Sequence, residues 1–120
     1  MNDRRLGYRI PFDAMVTSYV RDRPVRALAS NLSDAGLSMS AISMLAPPPG
    51  QVVGLEIEIP GMNESIWASG RICHRSGDRI ASGLGVRFLA MATSQARALR
   101  DFCIESRRKH LGALLARIRA

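Results

Sequence analysis

The sequence predicts a domain dominated by β-structure, with about six short antiparallel strands in a small barrel or sandwich and an α-helix at the C-terminus. Three observations predict it. Apolar and polar residues alternate over most of the chain before residue 92, as they do in half-buried strands. Turn-forming residues separate these alternating stretches. After residue 93 the apolar spacing changes to the three-and-four pattern of a helix.

The first three strands are expected in the N-terminal third of the chain. Residues 12–20 are rich in β-branched and aromatic side chains, and a turn containing Asp22 and Pro24 follows them. A returning strand is expected over residues 25–30 and a short third strand over residues 37–40. A turn-rich stretch separates these last two strands, so they form a hairpin.

The next three strands show the clearest alternation. Residues 52–59 place apolar side chains at every odd position, and this pattern puts those side chains in a core. Residues 65–74 alternate in the same way, and Ser76, Gly77 and Asp78 form the expected turn after them. The last strand is expected over residues 82–89.

The helix is expected over residues 94–108, with Thr93 or Ser94 as its cap. Residues 93–120 thus contain this helix and a basic amphipathic extension. The sequence leaves open whether the extension continues the helix or breaks near Arg107–Gly112. It carries a second apolar stripe formed by Leu111, Leu114, Leu115 and Ile118. That stripe is interpreted as a face for a weak homodimer or another partner, or as a face that packs back on the barrel of a monomer.

Size and composition exclude several classes of protein. The chain has 120 residues, of which 47% are hydrophobic and 22% charged, so it fits one ordinary globular domain. No apolar stretch approaches the roughly 20 residues of a membrane-spanning helix, and the first residues lack the apolar region of a secretory signal. We therefore expect a cytoplasmic protein without a membrane span. Its two histidines and two cysteines lack the spacing of a metal site.

The net charge of +7 indicates an anionic partner: a nucleic acid, a nucleotide or an anionic lipid. Two clusters carry more specific information. Arg4, Arg5 and Arg9 precede the first strand in the stretch RRLGYR. The stretch NLSDAG, from Asn31 to Gly36, follows the second strand.

In this order the motifs RxxxR at residues 5–9 and [D/N]xSxxG at residues 31–36, with a GVxF-like strand at residues 85–88, resemble a PilZ domain. The resemblance covers residues 4–105. It implies a six-stranded antiparallel β-barrel with a C-terminal α-helix that binds the bacterial second messenger cyclic di-GMP. A flexible arm over residues 1–11 would carry RxxxR, and residues 12–92 would form the barrel.

The chemistry of these residues suits that ligand. The guanidinium groups of Arg5 and Arg9 match a phosphate or the O6 and N7 acceptors of guanine. Asn31 offers both a donor and an acceptor to a guanine edge. The Ser33 hydroxyl either bonds a phosphate oxygen or orders the turn, and Gly36 permits a positive φ or a close approach.

The resemblance implies three further candidate ligand-binding residues. Arg4 resembles the residue that favours a stacked pair of ligands over a single one. Arg71 and His74 lie on the fifth strand, which is next to the ligand in the family, although a solvated sheet face also explains them.

The leading hypothesis is a non-catalytic receptor without a cofactor or metal. Its arm closes over cyclic di-GMP and creates a surface that an unidentified effector protein recognises. One alternative is a ligand-independent PilZ-like interaction module related to type IV pili. The other is a small basic barrel that binds single-stranded nucleic acid, although the chain has few aromatic residues for base stacking.

Overall fold

The computed structural model describes residues 10–119, and residues 10–13 by their backbone only. Arg4, Arg5 and Arg9 lie outside the described residues. The elements, in chain order, are β1 (Ile10–Val20), β2 (Arg23–Leu32), β3 (Gly36–Ile42), a 3-10 turn (Ser43–Leu45), β4 (Val52–Ile57), β5 (Ile66–Gly77), β6 (Ala81–Met91) and α1 (Thr93–Arg119).

Over residues 10–119 the six strands form one closed antiparallel barrel, in the order β1-β2-β3-β6-β5-β4, and β1 pairs with β4 to close it. The predicted fold class is confirmed. The alternation works as expected: Val53, Leu55 and Ile57 of β4 all point into the core. Ile59 is also buried, although β4 ends two residues before it.

The first hairpin is tighter than the sequence predicts. Its turn consists of Arg21 and Asp22 alone, with φ values of 52° and 65°. Positive φ at both central residues is the geometry of a two-residue turn whose twist matches the flanking strands. Pro24, which was expected in the turn, therefore lies in β2 opposite Tyr19.

The turn between β5 and β6 lies further along the chain than expected. β5 continues to Gly77, and the turn is formed by residues 78–80. There the Asp78 carboxylate accepts hydrogen bonds from the backbone N–H groups of Ile80 and Ala81, at 2.8 and 3.0 Å. The N–H groups of Ala81 and Ile80 also hold the pKa of Asp78 below its usual value.

The helix does not break near Gly112. α1 runs without interruption to Arg119, eleven residues beyond the predicted end. Leu99 and Cys103 are its buried residues, and they contribute to the core. Every residue from Leu111 to Arg119 is exposed, so the second apolar stripe does not pack back on the barrel. That interpretation of the stripe was wrong.

No helix in the described part of the chain has both the length and the apolar content to cross a membrane.

Candidate functional site

The NLSDAG stretch forms a tight corner between β2 and β3 that the side chain of Ser33 holds together. Ser33 is completely buried. Its hydroxyl oxygen accepts hydrogen bonds from the N–H groups of Ala35 and Gly36, at 3.1 and 3.2 Å, and its own N–H donates to the Gly36 carbonyl at 2.9 Å. The hydroxyl also lies 3.4 Å from that carbonyl oxygen, to which it donates. Of the two roles considered for Ser33, ordering the turn accounts for all of these contacts.

Ser33→Ala is expected to lower the free energy of unfolding by about 2 kcal/mol, because two backbone donors lose their acceptor in a partly buried turn. Chemical denaturation measures this. Ser30→Ala is the matched control, since Ser30 is exposed and its one side-chain bond to residues 10–119 is a 3.5 Å contact with the Ser38 carbonyl; it should change stability by about 0.5 kcal/mol or less. Equal stability of the two variants would contradict the structural role of Ser33.

Gly36 is required by the close approach of β6. A Cβ atom at this position would overlap the carbonyl oxygen of Val86 and come within 3.3 Å of the Arg87 Cα. The N–H of Phe88 also donates to the Ala35 carbonyl at 2.8 Å. The corner is therefore bonded directly to β6. Glycine is needed at position 36 because the backbone of β6 comes so close, and not because of a positive φ.

Asn31 connects this corner to the beginning of β1. It is half-buried, and it lies between Pro11 of β1 and Ser38 of β3. The next pair along the two strands is Ile10 with Leu32. The first strand therefore starts beside the corner, and Arg9 is the residue that immediately precedes it in the sequence.

Two arginines, Arg87 and Arg71, lie side by side next to the corner on the outer face of the barrel. Gly36 pairs with Arg87 of β6, and Arg87 pairs with Arg71 of β5. Both arginines are exposed, and Arg71 donates to the Gly50 carbonyl at 3.2 Å. Within residues 10–119 the Arg87 guanidinium makes no such bond. Directly paired residues on antiparallel strands have Cβ atoms about 5 Å apart, so this arrangement starts two positively charged side chains from neighbouring positions.

Arg87 is the residue that sequence reasoning missed. It lies in the GVxF-like strand, between Val86, which is buried, and Phe88, which is partly buried. That alternation was the available signal, because it places the intervening side chain outside the barrel.

His74 lies in the neighbouring row. It pairs with Gly85, which pairs in turn with Ser38, the partner of Asn31. Its imidazole ring covers Gly85 so closely that a Cβ there would overlap the ring. The structure therefore brings Asn31, Arg71 and His74 onto one outer face across β2, β3, β6 and β5.

The helix lies near the same corner. Cys103 of α1 is buried, and this burial raises the pKa of its thiol to about 11. The carboxylate of Asp34, an exposed residue of the corner, adds to that rise. The thiol is therefore protonated at neutral pH and acts as a core side chain.

Other features of the described residues involve different side chains. A cavity of about 580 Å³ is lined by residues that include Met15, Leu28, Glu58 and Met62. Tyr19 stacks on the half-exposed Trp67, with ring centroids 6.0 Å apart, on the β1–β4–β5 side of the barrel. Within residues 10–119 no three His, Cys, Asp or Glu side chains gather in an arrangement that would hold a metal ion.

Comparison with known families identifies this arrangement of strands and motifs. The family model described as PilZ domain matches residues 3–105. The chain belongs to the PilZ domain family. No curated protein sequence matches it.

Several solved structures share the PilZ fold at low sequence identity. The inhibitor of motility MotI/DgrA from Bacillus subtilis superimposes with a TM-score of 0.77 at 20% identity, over 92% of this chain and 53% of that one. YcgR from Escherichia coli, in complex with c-di-GMP, gives 0.74 at 17% identity, over 92% and 49%. The isolated PilZ domain of YcgR with c-di-GMP gives 0.72 at 16% identity, over 93% and 98%. The present chain thus spans about half the length of the first two proteins.

Proposed function

We propose that this protein is a non-catalytic, cytoplasmic receptor for cyclic di-GMP. The observation that carries the proposal is the register of β1 with β2, which starts the first strand beside the Asn31–Gly36 corner. Covalent geometry then keeps the Cα of Arg9 within about 4 Å of that of Ile10. Membership of the PilZ family, and the c-di-GMP complexes of similarly folded proteins, support the choice of ligand.

The ligand carries two phosphodiester charges and two guanines, and the residues around the corner offer complementary groups. Arg5 and Arg9 can each form two parallel hydrogen bonds, either to a phosphate or to the O6 and N7 atoms of a guanine. Asn31 can donate to and accept from a guanine edge. In this proposal Ser33 and Gly36 shape the backbone of the corner. The Ser33 hydroxyl would contact a phosphate only if it gave up its hydrogen bonds within the turn.

Arg71 and Arg87 supply a second positive surface. Like charges in directly opposed positions destabilise a sheet, and an anion placed between them relieves that repulsion. We therefore extend the proposed site from the corner to Arg87 and then to Arg71 and His74. Arg4 favours a stacked pair of ligands over a single one, and the stoichiometry of binding tests this assignment.

In this proposal the response depends on the arm. Ligand binding orders residues 1–9, which precede β1, against the corner at an entropic cost, and the new surface is recognised by an effector protein that is not identified. The nucleic-acid alternative needs exposed aromatic rings for stacking near the basic face. The stacked pair of Tyr19 and Trp67 lies over β4, beside Gly54, and not at the Asn31–Gly36 corner where the arm begins.

Calorimetric titration with cyclic di-GMP tests the proposal, with GMP and cyclic di-AMP as control ligands. We expect binding of cyclic di-GMP alone, with two ligands per chain if Arg4 acts as assigned. Arg87→Ala should weaken binding by about three- to tenfold, because it removes a charge-assisted contact on an exposed face. Arg79→Ala, in the turn at the other end of β6, is the matched control and should change affinity by less than about twofold. Absence of binding would favour the ligand-independent interaction module instead.

A further inference from the structure

The C-terminal half of α1 presents an apolar stripe that no described part of the chain covers. The second apolar stripe, Leu111, Leu114, Leu115 and Ile118, is extended by Ile104 further back along the helix, and the exposed fractions of the five range from 39% at Leu114 to 78% at Ile118. Their spacing of three, four and seven residues places them on one arc of the helix, about 100° wide. Contiguous exposed apolar residues of this kind are typical of interaction surfaces.

The charged residues from Ser106 onward, beside Leu111, Leu114, Leu115 and Ile118, all have one sign. From Ser106 to Arg119 the helix contains five basic residues and no Asp or Glu: Arg107, Arg108, Lys109, Arg117 and Arg119. Helical spacing puts Arg108 and Arg119 along one edge of the stripe, Arg117 on the other side, and Arg107 within its arc. Arg108 makes a surface ion pair with Glu105 at 3.6 Å, a contact that contributes little. The far face carries small residues such as Gly112, Ala113 and Ala116.

We propose that this stripe binds the surface of an anionic lipid bilayer, with α1 lying in the plane of the interface. Apolar side chains on one face with arginines along its edges are typical of interfacial helices, since the guanidinium groups reach the phosphates while their stems stay in the apolar layer. Two copies packed through the stripe would bring eight basic groups to the seam, four from each copy. They would also bury Arg107 in a helix–helix seam, where desolvation of a charge is costly.

Co-sedimentation of the full chain with vesicles tests this inference. We expect at least tenfold tighter binding to vesicles of phosphatidylcholine with about 30% phosphatidylglycerol than to pure phosphatidylcholine, because each basic residue near an anionic surface strengthens binding about fivefold. Raising the salt concentration should weaken the binding, since it screens these contacts.

Two neighbouring substitutions separate the stripe from the charge of the segment. Leu115→Glu and Ala116→Glu make the same change in charge at exposed positions of the same helix. Leu115→Glu also removes an apolar anchor and should weaken vesicle binding about 50-fold or more, against about fivefold for Ala116→Glu. Circular dichroism should show the same helix content in both variants. Cyclic di-GMP titration of both reports on the nucleotide site separately, so a failure of one proposal leaves the other measurable.

Three outcomes would overturn the inference. The first is equal binding to the two kinds of vesicle, and the second is an equal effect of the two substitutions. The third is absence of vesicle binding. In that case, sedimentation velocity gives the oligomeric state. A dimer that the Leu115→Glu substitution dissociates would assign the stripe to a second copy of the chain. A monomer assigns the stripe to a protein partner.

Discussion

Replacing Arg5 or Arg9 with alanine is expected to weaken the binding of cyclic di-GMP by roughly 10- to 150-fold. This range corresponds to the loss of one hydrogen-bonding contact with a charged group, about 1.5–3 kcal/mol. The register of β1 attaches the arm that carries both arginines beside the Asn31–Gly36 corner, so each side chain starts its reach close to the proposed site. Isothermal titration calorimetry at fixed salt concentration measures the change.

Arg23→Ala is the matched control for these two variants. Arg23 is an exposed residue at the start of β2, opposite Val20, and thus at the end of the β1–β2 hairpin furthest from the corner. The variant loses the same charge, and we expect less than about a twofold change because screening weakens interactions beyond about 10 Å. If Arg5→Ala and Arg9→Ala bind as tightly as Arg23→Ala, the arm is not part of the site.

Gly36→Ala should produce the largest loss of stability among substitutions in the corner. The new methyl group would meet the Val86 carbonyl oxygen and the Arg87 Cα, and both atoms belong to the backbone of β6. Backbone atoms cannot move aside as the end of a flexible side chain can. We expect the free energy of unfolding to fall by about 3 kcal/mol and the Tm by about 10 °C or more. Thermal and chemical denaturation measure both quantities.

Gly83→Ala makes the same chemical change further along β6. Among the described residues, a Cβ at Gly83 would meet only the Ser76 hydroxyl oxygen, at 3.4 Å. We expect this control to differ from the parent by about 1 kcal/mol or less. A Gly36→Ala variant as stable as Gly83→Ala would mean that β3 and β6 do not approach each other as closely as the structure shows.

The strands could be predicted from the sequence because the alternation of apolar and polar residues is a property of each strand by itself. The ends of a strand depend on the neighbouring strands with which it pairs. Residues 52–59 alternate so regularly that the prediction of which face of β4 is buried was correct. Pro24 was expected in a turn because proline is common there, but a two-residue turn at Arg21 and Asp22 leaves it inside β2. The helix continues through Gly112 because one exposed glycine costs only about 1 kcal/mol, which its neighbours can offset.

The candidate site, too, could be predicted only in part. The corner was visible because its motif combines turn formers with a hydroxyl and an amide in a fixed order. The contacts of Ser33 and Gly36 were not predictable in detail, since they depend on which strand approaches the corner. Arg87 was missed because an arginine on the outer face of a strand looks like any solvated residue until Gly36 and Arg71 are placed beside it.

Mapping the ligand on the protein by amide NMR tests the central claim most directly. With cyclic di-GMP added, the proposed site predicts the largest chemical-shift changes at Arg5, Arg9, Asn31, Gly36 and Arg87. The residues around Met15 and Glu58, which line the cavity beside β1 and the segment after β4, should change less. Changes that gather at that cavity, or a spectrum that cyclic di-GMP leaves unaltered, would contradict the account.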